Sequence, residues 1–178
     1  MTGDKTTKMT LTAVFAALIF LFTFLVKLPV ASGYIHLGDT LIYLFATIVG
    51  FPWALLAGAI GEGLADLAGG FAIYAPATVL IKALVAVPFL FFTKKSNHIL
   101  NLWTGLMTIP AGLITVGGYF LADLVIDKAY AMVDIPGNVV QALGSAVLFL
   151  VLGFAFDKMN LKEQLLRGFV RTNSKKHR

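Results

Sequence analysis

No cysteine occurs among the 178 residues, which excludes disulfides and thiolate metal sites. Charge is scarce as well. Asp, Glu, Lys and Arg make up 13% of the chain, about half the share usual in soluble domains, while 58% of residues are hydrophobic. A globule this small has too little interior to hide that much apolar surface, and the mean hydropathy of +0.87 points to a lipid bilayer as the solvent. No basic–aromatic face is present, so the net charge of +5 does not read as a nucleic-acid footprint. Its placement instead follows the pattern of cytoplasmic loops. Seven of the fourteen Lys and Arg lie after Asp157, and Lys5, Lys8, Lys94 and Lys95 sit in short polar breaks.

What is abundant is uncharged length. Residues 9–26 carry no Asp, Glu, Lys or Arg, enough for a first membrane span. This segment has no small-residue cleavage site and is expected to stay in the mature protein. Residues 40–61 are also uncharged, but Gly50 and Pro52 interrupt them, which predicts a helical hairpin. The second span then runs to Gly50 and the third from about Pro52 to Ala68. The fourth is expected over about Ala75–Phe92, the fifth over Leu100–Ile126 and the sixth over Pro136–Phe156. Pro136 suits a first helical turn, with Asp134 beside the positive helix end.

Charge placement favours six spans with both termini in the cytoplasm. That arrangement leaves only Lys27 and Lys128 outside, with Lys82 inside the membrane, whereas five spans would externalise about ten cations. Trp53 and Trp103 then fall at the cytoplasmic interface. The second span, about fourteen residues and ~21 Å, is short against a core of roughly 30 Å. The expected fold is an all-α six-transmembrane-helix bundle over residues 1–156, followed by a basic cytoplasmic tail, 157–178. In that tail Leu161, Leu165, Leu166 and Phe169 can form one side of an interfacial helix, with a disordered tail as the equal alternative.

The third span has the most pronounced pattern. Ala54, Gly58, Glu62, Asp66 and Gly70 recur every fourth residue, with Ala57, Gly61, Ala65 and Gly69 in the stripe beside them. Small residues allow close helix approach, so Glu62 and Asp66 are expected to face the bundle interior. Leu55, Leu56, Ile60, Leu64 and Leu67 point elsewhere. Ionised groups at that depth are costly and are either paired or functional. Lys82 lies at the same depth on the next antiparallel span and is the expected partner of Glu62.

The other polar candidates share the external half. His36 and Asp39 open the second span, and Tyr34 and Tyr74 lie in external loops. Tyr119 and Asp123 share a face of the fifth span. Asn138, Gln141 and Ser145 follow i, i+3, i+7 spacing at the start of the sixth. Each has a structural explanation by itself, but convergence from five elements suggests a small-molecule pocket with apolar walls.

The stretch HLGDTLIYLFATIVGFPWALLAGAIGEGLADL resembles the second and third helices of the substrate-binding S component of energy-coupling factor (ECF) vitamin transporters. The resemblance extends over nearly the whole chain, and Ala13 and Ala17 give the first span an A-x-x-x-A arrangement. It implies a subunit of a prokaryotic cell membrane that captures a vitamin outside and topples against a transmembrane T subunit. Ala13 and Ala17 would form the docking face. Two separate ATP-binding-cassette ATPases would supply the energy, in keeping with the lack of a G-x-x-x-x-G-K-[ST] phosphate cradle here. The implied substrate site comprises Tyr34, His36, Asp39, Glu62, Asp66, Tyr74, Lys82, Tyr119, Asp123, Asn138 and Gln141. No catalytic residue, metal or cofactor is expected.

Acidic residues outnumber Lys27, Lys82 and Lys128 in the outer half, which disfavours a strongly anionic cargo. A neutral or amine-bearing heterocycle able to stack on Tyr or Phe fits better. By overall look the chain is most similar to hydroxymethylpyrimidine- or pyridoxine-type members, with thiamine, riboflavin and pantothenate left open. Three other classes stand beside this one: an autonomous ion-coupled carrier using Glu62 or Asp66, an intramembrane enzyme using the same pair as acid and base, and a purely structural membrane subunit.

Overall fold

The computed structural model describes residues 2–30, 33–90 and 98–165, with backbone alone at residues 2–4, 28, 30 and 33–35. The Tyr34 side chain, Lys94, Lys95 and the tail beyond residue 165 lie outside the described set. α1 (Thr2–Leu25) leads into β1 (Lys27–Val30) and β2 (Gly33–His36). Then follow α2 (Gly38–Ile48), α3 (Trp53–Gly69), α4 (Ala75–Leu90), α5 (Leu102–Leu106), α6 (Thr108–Ile126) and α7 (Lys128–Lys158).

The all-helical bundle matches the expected class, but three of its details differ. The loop after α1 holds an antiparallel hairpin, Lys27 opposite His36 and Val30 opposite Gly33, where no strand was expected. The fifth span divides at Met107 into α5 and α6, and it begins at Leu102, where Asn101 and Thr104 form a reciprocal capping box. Pro136 does not open the last helix. α7 starts eight residues earlier, where the Asp127 carboxylate accepts the Ala129 N–H at 3.0 Å, and Pro136 lies on its exposed side.

α2 is the axis of the molecule. Ten of its eleven residues are buried, and it touches α1, α3, α4 and α7. A helix apolar all round is one enclosed by others, which accounts for a segment that rises only about 16 Å. Around it α1 packs on α3, α3 on α4, α4 on α6 and α6 on α7. The close α1–α3 approach depends on Gly61, where an added Cβ would come within 2.7 Å of the Ala16 carbonyl oxygen. Tyr43 of α2 stacks on Phe89 at 4.8 Å and meets Phe149 edge-on, closing the core.

Outward faces are apolar. Leu56, Ile60, Leu64 and Leu67 of α3 are exposed, as are Leu143, Val147 and Val151 of α7, while Glu62 and Asp66 of α3 face inward as expected, together with Ala54, Ala57, Gly58, Gly61 and Ala65. Among the described residues three stretches are long and apolar enough to cross a membrane: Lys5–Leu25, Leu102–Ile126 and Lys128–Lys158. α2 and α4 are shorter apolar helices. At the opposite end from the hairpin, Asp157 accepts the N–H groups of Ile99 and Leu100 at 2.6 and 2.8 Å, tying α7 to the segment before α5. Lys162 adds a bond to the His98 carbonyl at 3.4 Å, and its burial lowers its pKa.

Candidate functional site

The hairpin ends where α2 begins, which carries His36 and Asp39 into the middle of the bundle. Asp39 and Lys82 are both 0% exposed, and 2.6 Å separates Lys82 Nζ from Asp39 Oδ1. The other carboxylate oxygen of Asp39 accepts from Gln141 Nε2 at 3.1 Å and Thr115 Oγ1 at 3.5 Å. One buried carboxylate thereby collects donors from α4, α6 and α7. The Gln141 amide is fixed from both ends, since its Oε1 accepts the backbone N–H of His36 at 3.3 Å.

His36 extends the network to α3. Its Nδ1 accepts the Gly38 N–H at 3.2 Å, which puts the ring proton on Nε2, 3.2 Å from Glu62 Oε2. Burial, reinforced by the Lys82 charge, lowers the His36 pKa to about 3, so the imidazole is neutral and donates to Glu62. This corrects the expected Glu62–Lys82 pair. Matching depths along two helices leaves out α2, whose first turn offers Lys82 a nearer carboxylate. Gly38 has no room for a side chain, because a Cβ there would run into Glu62 Oε1 and Thr23 Oγ1.

A second group lies between α4 and α6. The Tyr74 hydroxyl donates to Asp123 Oδ1 at 2.8 Å, and Thr78 Oγ1 is 3.1 Å from the Tyr119 hydroxyl. Lys82 Nζ sits 5.2 Å from the centre of the Tyr119 ring, a cation–π distance that joins this group to the first. Burial, followed by the Asp123 hydrogen bond, raises the Tyr74 pKa and keeps its hydroxyl a donor. On α7, Asn138, Gln141 and Ser145 share the buried face as their spacing implied. Asn138 caps nothing; it donates to Asp134 Oδ2 at 2.7 Å, one turn earlier in the same helix. The Ser145 carbonyl accepts from Thr40 of α2 at 3.2 Å. Asp66 is buried one turn from Glu62.

Of the expected residues, His36, Asp39, Glu62, Lys82, Tyr119 and Gln141 meet in one polar interior with Tyr74–Asp123 at its edge, whereas Asn138 pairs with Asp134 of its own helix and the Tyr34 side chain is not described. Thr23, Thr78 and Thr115 belong to that interior and were not singled out. A signal for two of them exists: Tyr74, Thr78 and Lys82 are spaced by four, as are Thr115, Tyr119 and Asp123. Among the described residues no group of three His, Cys, Asp or Glu is arranged to hold a metal ion. The arrangement offers a cation, carboxylates, an amide and hydroxyls inside apolar walls, suited to gripping a polar heterocycle.

Away from this interior, α1 and α3 frame an apolar groove of about 950 Å³. Ala13 and Ala17 are exposed on its α1 side, with Leu56, Ile60 and Leu64 opposite. A-x-x-x-A thus leaves a smooth wall that a partner helix could approach closely.

Compared with known proteins, residues 3–158 match the family described as ECF-type riboflavin transporter, S component. The family is riboflavin-type, which corrects the expected likeness to hydroxymethylpyrimidine and pyridoxine members. A protein of Pyrococcus woesei, described as an uncharacterized protein in gap 3'region, is 29% identical over 139 residues, 76% of this chain and 92% of that protein.

Proposed function

The chain belongs to the ECF-type riboflavin transporter S component family, and from that premise we propose that it captures riboflavin at the Asp39-centred interior. It is a multi-pass membrane transporter component rather than an enzyme. The reading is carried by one observation: three helices and the hairpin deliver hydrogen-bonding side chains to Asp39 and Glu62 inside an otherwise apolar bundle. Riboflavin is neutral, with an imide edge that donates and accepts, a hydroxylated chain and a flat apolar ring system. Gln141, His36 and the Asp39–Lys82 pair match the polar edges, and Tyr119 offers an aromatic face. A site rich in carboxylates suits such a neutral cargo better than an anion.

In this reading six helices span the bilayer, the β-hairpin and the start of α2 are external, and both termini are cytoplasmic. Asp66, Asn138 and Tyr34 complete the lining. The α1–α3 groove with Ala13 and Ala17 docks the T subunit, against which the bundle topples to release its cargo inward. Two separate ATPases drive the cycle. The exposed apolar flanks of α3 and α7 are compatible with tilting in lipid.

A thermal-shift panel on the purified chain in detergent tests the assignment. Riboflavin should raise the unfolding midpoint, and hydroxymethylpyrimidine, pyridoxine, thiamine and pantothenate should not. Stabilisation by one of the other four, and none by riboflavin, would replace the substrate.

A further inference from the structure

α4 and α6 run antiparallel, and their facing polar residues form three rungs spaced four residues apart. The outermost is Tyr74–Asp123 at 2.8 Å. Next comes Thr78–Tyr119 at 3.1 Å. The innermost is Lys82 opposite Thr115, both bonded to Asp39. On the α4 side burial rises along the series, with Tyr74 half-buried and Thr78 and Lys82 fully enclosed, while on α6 Asp123 and Thr115 are buried and Tyr119 is half-buried. The ladder therefore leads from the partly exposed end of the seam to the centre of the site.

Holding two helices together does not require such a ladder. Apolar residues would fasten this seam without the desolvation cost of burying hydroxyls and a carboxylate. Hydrogen bonds differ from apolar contacts in that water or a ligand can replace their partners one at a time. Asp123 is 1% exposed, yet its Oδ2 has no hydrogen-bond partner, so a second acceptor stands ready beside the outer rung. At Gly118, next to Tyr119, the Ile81 side chain packs directly on the α6 backbone, where an added Cβ would come within 2.7 Å of it.

We propose that the α4–α6 seam is the ligand's way into the site, with Tyr74–Asp123 as its outer latch and Thr78–Tyr119 as the rung behind it. This rests on the capture reading above and assigns Tyr74 a gating role instead of a ligand contact. When the seam parts, the freed hydroxyls and the Asp123 carboxylate line the route and exchange their bonds for those of the ligand's imide and hydroxyls. When it closes, they pair again and shut out water.

A latch acts on both directions of passage, whereas a contact acts on release. Riboflavin association and dissociation are followed by its own fluorescence in stopped flow, with purified wild type and Tyr74→Phe. The variant keeps the ring and loses one hydrogen bond to a carboxylate, so both rates should rise about tenfold with Kd changed by less than about threefold. A tenfold weaker Kd at unchanged association would make Tyr74 a ligand contact and overturn the proposal. Unchanged rates would reduce the ladder to a static fastening and overturn it as well.

A second measurement does not depend on riboflavin. Because the chain has no native cysteine, Thr78→Cys introduces a single buried thiol that a small water-soluble methanethiosulfonate reaches only if the seam opens. Adding Tyr74→Phe should speed its modification about tenfold. No change would sink the latch, while failure of wild type to bind riboflavin, with the thiol still responding, would sink only the substrate assignment.

Discussion

Replacing Lys82 with Met while Asp39 remains strands a carboxylate at the centre of the bundle. Both residues are completely enclosed, with 2.6 Å between Nζ and Oδ1. Gln141 and Thr115 would still donate to Oδ2, but neither brings charge. Breaking a buried pair from one side costs about 3–5 kcal/mol. In a chain of this length each kcal/mol moves the unfolding midpoint by about 2–4 °C, so Lys82→Met should lower it by about 6–20 °C. Asp39→Asn leaves the ammonium unpaired and should cost a similar amount. The double variant Lys82→Met/Asp39→Asn buries neither charge. It should therefore be more stable than the sum of the single effects implies, with a coupling of about 2–3 kcal/mol. Scanning fluorimetry in detergent, run with all four proteins as a double-mutant cycle, reads that coupling directly. Additivity within about 0.5 kcal/mol would refute the argument, because the two groups would then not be holding each other.

Two further outcomes follow from the geometry. His36 is neutral in the fold with its pKa lowered to about 3, against 6.5 when free, and it is faced by Glu62, Asp39, Lys82 and Lys27. Its contribution is intact above pH 6.5 and is lost as pH falls from there toward 3; at pH 5 the loss is about 2 kcal/mol, and thermal unfolding of His36→Gln should lack that part of the pH dependence. Ala13→Trp or Ala17→Trp fills the α1–α3 groove, so uptake by the reconstituted transporter should fall by at least about tenfold while riboflavin binding by the isolated chain is retained. Loss of both together would remove the groove's docking role.

Much of this architecture can be read from local pattern. The α2–α3 break is visible because Gly50, at φ 79°, adopts a backbone that other residues resist, and Pro52 follows it. The inward face of α3 is legible because small residues and carboxylates recur at a helical period. The hairpin is not, since KLPV and GYIH are four residues each and show no sustained alternation. The start of α7 is obscured because Pro136 looks like a first-turn proline, whereas Asp127 caps the helix more than two turns earlier.

Site membership was more legible than site pairing. Burial of charge in an apolar segment marks Asp39, Glu62, Lys82 and Asp123 as members, because each needs a partner inside. Which partner each one takes depends on how α2 threads between the outer helices, a relation among distant segments that helical spacing does not encode. Lys82 consequently meets Asp39, and Glu62 meets His36. The threonines escaped notice because a hydroxyl in a membrane helix is common and costs little when bonded to its own backbone. Thr78 and Thr115 instead bond across helices, and their spacing from Tyr74, Lys82, Tyr119 and Asp123 is the trace they leave.

The most direct measurement is an equilibrium titration of riboflavin into the purified wild-type chain alongside Asp39→Asn. Saturation near one riboflavin per chain is the expected result, with affinity at least about tenfold weaker in a variant that stays folded. A linear, unsaturable signal from wild type, or equal affinity in both proteins, would contradict capture at the Asp39 network.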